Sequence, residues 1–387
     1  MSLLNRKRVI LAKPEGTYMT DAVPTGAANA ILISNLQVTP QEANLVSRDL
    51  IRPFFGNFTQ VPAAISAKVT FDVELAGAGT AGTAPAWGAL MRGCAFSETL
   101  LAADLSGSAQ AGAASTITLA AAGSSAVDDA YKGMYIILTS GTGSGQTGII
   151  AAYNGTTKVA TMMVNWTTPP AAATGYTVKA NAIYRPITDA LEGLSIYFNV
   201  DGVLHKFIGS RGNVSIKVPL WGIPKLSFTF TGTYTTPTDT AMPTAVFTSW
   251  QQPLTVNNTN TSGLVLAGYA GAIMSDFNLD MGNQVTYRSL VGGTQSVLIT
   301  DRKAQGDITV EATTVAAKDW WTASQNAVLS GFTLAHGTTA GNIVQLSAPQ
   351  LQIVKPTYED KDGVAMLKAS LYAVPLTQND EVWISAR

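Results

Sequence analysis

The stretch "SGTGSGQTGIIAAYNG", Ser140 to Gly155, decides which fold the chain can have. Gly143, Gly145 and Gly148 stand at G-x-G-x-x-G spacing, which in a dinucleotide-binding unit follows a strand and opens a helix. Here the glycines are followed by "IIAAYNG", a short strand run ending in the turn pair Asn154-Gly155. The acidic residue expected about 20 residues further on is missing, "TMMVNWTTPP" standing in that region. A phosphate loop needs Gly-Lys-Ser/Thr, and Ile149 follows Gly148. With strand on both sides, the glycines read as a hairpin tip.

Outward from that loop, period-two patterns dominate. Ala67–Gly77, Leu194–Gly209, Asn213–Gly222, Lys225–Thr235, Gly306–Val315 and Ile343–Val354 alternate or are rich in β-branched and aromatic residues. Asp201-Gly202 and Asp362-Gly363 predict two-residue hairpin turns, because these pairs accept positive φ. Two stretches read as helix: Pro85–Ala102, which opens on a proline and spaces its apolar residues helically, and Ala316–Leu329. The expectation is a β-rich chain with one helix per half.

Composition shifts at Ala103, where a small, polar run begins, and long-strand texture resumes after Ala180. Residues 104–182 therefore read as an inserted small β domain. Removing them brings together two similar units, 1–103 with 183–240 and 241–387. Each unit has a glycine-bearing loop, an acid-flecked strand (Asp72, Glu74; Asp307, Glu311) and a Trp-led helix (Trp87; Trp320, Trp321). Each also pairs a Gly-Asn with a Pro-x-Leu: Gly212-Asn213 with Pro224–Leu226, and Gly341-Asn342 with Pro349–Leu351. Such self-similarity suggests a duplicated β module, although any two β-sandwich halves look somewhat alike.

The composition excludes several functions. Hydrophobic residues make up 46% and charged residues 13%, with a formal net charge of −1, so no basic face grips nucleic acid through its phosphates. One cysteine, Cys94, rules out an intrachain disulfide and a cysteine-built metal site. His205 and His336 lie far apart with no nucleophile–base pattern, and "YEDKDG" (Tyr358–Gly363) has Tyr where a calcium loop needs its first Asp. No enzyme chemistry, cofactor or metal is expected. Lys13-Pro14-Glu15-Gly16 interrupts the N-terminal apolar run, so neither a signal peptide nor a membrane span is predicted.

"AWGALMRGCAFSETLLA" (Ala86–Ala102), followed after the insert by "RGNVSIKVPLWGIPKLSFTFTGTY" (Arg211–Tyr234), resembles the major tail tube proteins of long-tailed bacteriophages. The second half, from "SDFNLDMGNQVTYRS" through "AGNIVQLSAPQLQI" (Ser275–Ile353), is similar to the C-terminal part of that family. The resemblance implies an all-β-dominated chain of tail-tube-type sandwich or barrel modules, each with a flanking helix. It implies a virion protein assembled in the host cytoplasm, whose copies close edge to edge into stacked rings for DNA ejection. Two modules per chain make the ring a homotrimer with pseudo-sixfold symmetry, the alternative being a homohexamer. Its implied partners are itself, other tail proteins, and the tape measure protein and DNA, which is held without sequence-specific contacts. Ring contact is expected at Phe54, Phe55 and Phe58 and, in the matching loop, at Leu290; the three Phe serve equally well as core plugs. Asp72, Glu74, Asp307 and Glu311 face either the lumen or solvent. A second class stays open: a phage receptor-binding or surface adhesin module, suggested by the Thr- and Gly-rich insert.

Overall fold

The computed structural model describes residues 2–387, and the chain is all-β, 49% strand and 4% helix. Eight long strands, labelled β1 to β8 in chain order, run side by side. They are β1 (Ser34–Val46), β2 (Val61–Glu74), β3 (Val203–Pro219), β4 (Lys225–Tyr234), β5 (Met274–Asp280), β6 (Gln305–Glu311), β7 (Val344–Lys361) and β8 (Val364–Ala373). Their antiparallel pairings give the lateral order β1-β2-β4-β3-β5-β6-β8-β7. The first four strands and the second four thus follow the same order, and β3 against β5 joins the groups, Ser215–Pro219 facing Asp276–Asp280.

Alternation explains why these residues pair as they do. Val69, Phe71 and Val73 of β2 are buried with Leu226, Phe228 and Phe230 of β4 and Val214, Ile216 and Val218 of β3. Side chains two apart share a face, so the residues between them form an opposite, polar face. Phe71, Phe228 and Phe230 pack with ring centroids 5.7–6.0 Å apart, and Phe277 stacks on Phe332 at 5.0 Å. Strands Arg8–Pro14, Leu194–Val200, Asn181–Pro186 and Leu329–His336 close over this apolar face.

Both helices are shorter than their sequences suggest. Gly88–Arg92 is helical and places Leu90 and Met91 in the core beside Trp87, whose Nε1 donates to Ala76 O at 2.8 Å. The helix stops at Gly93, Ala95 takes φ +64°, and Phe96–Leu101 is a strand paired with Asn181–Pro186. Ladder pairing there outweighs helical spacing. The second helix is Trp320–Gln325, capped by Asp319 accepting from Thr322 N; Ala327 at φ +50° turns the chain into the strand Leu329–His336. A further one-turn helix, Gly26–Asn29, carries no sequence signal.

Asp201-Gly202 and Asp362-Gly363 adopt positive φ at both residues, as two-residue hairpin turns require. Gly141, Gly143 and Gly145 have φ of +77° to +87° between strands Tyr135–Ser140 and Thr147–Tyr153, which pair antiparallel, so the glycine run is a hairpin tip. Asn154-Gly155 is not a two-residue turn: Asn154 Oδ1 accepts from Thr156 N and Thr157 N, and Lys158 takes the left-handed position in a longer loop. The Gly-Asn and Pro-x-Leu pairs do not match either. Gly212-Asn213 lies within β3 while Gly341-Asn342 precedes β7, and Pro224 precedes β4 while Pro349 lies within β7.

Leu101 and Asn181 face each other across a strand pair, and between them the chain forms a separate seven-stranded sheet over Leu105–Val178. Its core of Ile117, Ile136, Leu138, Ile150 and Val178 is completed from outside by Ile183 and Trp383. Lys132 Nζ donates to Thr377 Oγ1 at 3.0 Å and lies 3.6 Å from Asp380, and the Arg387 guanidinium sits 3.9 Å over the Tyr135 ring. Asn181 belongs to the main-sheet strand, so the excursion closes just before it.

Candidate functional site: a polar sheet face, two projecting loops and two open edges

Asp72 and Glu74 on β2, and Asp307 and Glu311 on β6, fall on the polar face of the eight-stranded sheet, at the second position of each four-strand group. Sequence alternation predicts their common parity; that one sheet carries both pairs depends on the β3–β5 junction, for which no local signal exists. Lys68, Lys217, Lys225 and Lys368 interleave on this face with these four acids and with Asp276 and Asp280. Glu359 and Lys361 of β7 add one charge of each sign. These seven carboxylates and five ammoniums leave the face slightly acidic.

These charges are held laterally. Asp72 accepts from Ser227 Oγ at 2.6 Å and Asn35 Nδ2 at 2.7 Å and lies 4.0 Å from Lys225 Nζ. Partial burial alone raises the Asp72 carboxyl; the bonds from Ser227 and Asn35, with the Lys225 and Lys217 ammoniums, more than offset it and hold the group below its ordinary value. Asp280 accepts from Asn213 Nδ2 at 2.6 Å, and Asp307 from Ser370 Oγ at 3.1 Å.

At one end of the strands, the β1–β2 hairpin runs on past the sheet into the loop 47–60. Phe55 is fully exposed and Phe54 is 64% exposed, so neither plugs the core. Phe58 is half-buried, and the Arg52 guanidinium lies over its ring at 4.2 Å and over Phe54 at 4.6 Å. From the same end of β5 and β6 springs the hairpin Asn283–Arg288 with Ser296–Arg302. Leu290 and Val291 at its tip are exposed. At the opposite end lies an apolar hollow of about 480 Å³, bordered by Leu220, Leu264, Ile273, Met274, Leu334 and Met366. It has no sequence signal, because its walls come from six separate segments.

The lateral edges are open on the outer side of β1 and along Ile353–Lys361 of β7, where only β8 pairs. Unpaired strand edges invite another chain, and neither Pro40 nor the bulge at Val354/Thr357 closes these.

The two histidines and the cysteine are held within the fold. His336 Nδ1 lies 2.9 Å from Thr261 Oγ1 and its Nε2 3.1 Å from Leu254 O, while His205 stacks on Phe198. Burial pushes the Cys94 thiol well up, away from a reactive thiolate. Among the described residues no three His, Cys, Asp or Glu stand together to hold a metal, and no helix is long and apolar enough to cross a membrane.

No curated protein sequence matches the chain. A family model described as phage tail tube protein matches residues 5–373, nearly the whole length, and the chain accordingly belongs to the phage tail tube protein family, a family of structural tail proteins.

Proposed function

We propose that this protein polymerises as stacked rings that form the tail tube, with the polar face of the eight-stranded sheet lining the channel through which DNA leaves. Carrying this proposal is the repeated strand order: β1-β2-β4-β3 and β5-β6-β8-β7 are two equivalent modules already joined side by side in one chain. Adding further copies by the same step continues one sheet around a closed ring, which also removes the open edges. Two modules per chain make three copies the count for pseudo-sixfold symmetry.

Within this proposal the near-neutral, laterally paired polar face gives DNA a wall without cationic anchors, so passage needs no stripping of bound phosphates. The tape measure protein occupies the same channel before DNA does. The loop 47–60, with Phe54 and Phe55, and the loop carrying Leu290 reach toward the next ring, whose near end presents the apolar hollow. Residues 104–180 stand on the strands Phe96–Leu101 and Asn181–Pro186, away from the polar face, and decorate the outside as an inserted domain.

Negative-stain microscopy of the purified chain tests the proposal. Rings or tubes with an open centre are expected, and a monodisperse monomer at high concentration contradicts it.

A further inference from the structure

The join between the modules inside one chain is a template for the join between chains. On one side β3 takes two partners in series: Leu194–Val200 over its first half, then β5 over Ser215–Pro219. On the corresponding side β7 takes Leu329–His336 over Val344–Gln352, and then nothing. The first-group counterpart of β5 is β1, whose outer edge is also unpaired. The two free edges are therefore of the same kinds as the two edges joined at β3–β5.

We propose that Thr357–Lys361 of β7 in one copy pairs antiparallel with Ser34–Thr39 of β1 in the next, in the register of the β3–β5 junction; this rests on the ring reading above. Equivalent backbone bonds fix the register. Leu75 N donates to Pro224 O beside the pair Glu74/Lys225, and Ala312 N donates to Ala365 O beside the pair Glu311/Met366. Lys225 faces Lys217, and Met366 faces Glu359, so Glu359 stands where Lys217 stands. By the same count across β6 and β2, Asn278 faces Asp307 as Gln37 faces Thr70, so Gln37 stands where Asn278 stands. Lys217 faces Asn278, hence Glu359 faces Gln37. One residue away, Tyr358 faces Val38 as Ile216 faces Leu279.

Burial at these positions supports the pairing. Ile216 is 0% exposed and Leu279 2%, whereas Tyr358 is 61% exposed and Val38 half-buried. The open edges thus expose the apolar pair that the closed junction seals. The Trp321 ring, its centroid 5.1 Å from that of Tyr358, is placed to close over the seam from below. Glu359, already 3.2 Å from Lys368, meets a neutral partner, so no like charges oppose across the joint.

Paired cysteines test the register. In the internal junction Leu220 N donates to Ser275 O and Met281 N to Val214 O, which makes Lys217/Asn278 a non-hydrogen-bonded pair with close side chains. The chain Gln37→Cys/Glu359→Cys is oxidised after assembly and run on a denaturing gel without reductant, Cys94 being buried. Disulfide-linked dimers and trimers are expected, while each single variant and the misregistered pair Thr39→Cys/Lys361→Cys stay monomeric. Amide exchange on the unsubstituted chain gives a second readout, with residues 34–39 and 357–361 slowing at least tenfold on assembly. Rings that form while the matched pair fails to link and these amides stay fast overturn the seam but leave the ring. A chain that never assembles overturns both.

Discussion

Ile216 and Tyr358 hold corresponding places in the two four-strand groups, and the difference between them organises the molecule. Ile216 sits under a joined seam with no exposed surface, and Tyr358 sits beside an open edge with most of its ring in solvent. The neighbour differs: β5 lies beside β3, whereas among the described residues no strand pairs with the outer side of Thr357–Lys361 of β7. In the proposed ring, the bare Tyr358 lies where the next copy pairs.

The largest expected effect breaks this comparison directly. Ile216→Asp puts an unpaired carboxylate into the sealed seam and should cost several kcal/mol, enough to unfold the isolated chain in a denaturant titration. Tyr358→Asp should change the stability of the unassembled chain by less than about 1 kcal/mol yet abolish rings. Equal losses of stability in the two variants would erase the distinction.

Removing residues 104–180 with a two-residue turn in their place should preserve ring formation, because Leu101 and Asn181 already face each other. It uncovers Ile183 and Trp383, now 0% and 1% exposed, so stability should fall by roughly 3–5 kcal/mol. Thermal unfolding and microscopy read the two outcomes separately. Loss of assembly in a folded deletion variant would show that the insert belongs to the ring.

Smaller in stability but decisive for stacking is Phe55→Ser. The isolated chain should lose no more than about 0.5 kcal/mol, and single rings should accumulate in place of tubes on gel filtration. The smallest effect is electrostatic. The Asp72 carboxyl lies below its ordinary value in the folded chain, so its contribution is complete above about pH 4 and is lost as pH falls through the lower, folded value. Being partly exposed, the group is worth about 0–1 kcal/mol. Asp72→Asn should lower stability at neutral pH by that much and leave it nearly unchanged in acid, which flattens the acid limb of the stability profile.

Much of this was legible in the residues. Alternation located the long strands, Asp201-Gly202 and Asp362-Gly363 located two turns, and the compositional break near Ala103 falls just before the separate seven-stranded sheet. Phe96–Leu101 misled because its apolar spacing fits a helix as well as a strand, and only its partner Asn181–Pro186 decides. The similarity of Gly-Asn and Pro-x-Leu misled for a related reason, since short dipeptides recur without occupying the same strand. The two open edges were not legible at all, because an unpaired backbone looks the same in sequence as a paired one. Asp72, Glu74, Asp307 and Glu311 were readable as period-two residues, but their sharing one face required the β3–β5 junction.

The central claim is that one chain supplies two modules of a ring, and the native mass of a single ring tests it most directly. Three copies, about three times 40.4 kDa, are predicted. A ring of six copies, in which each chain contributes one module's width, would contradict the account.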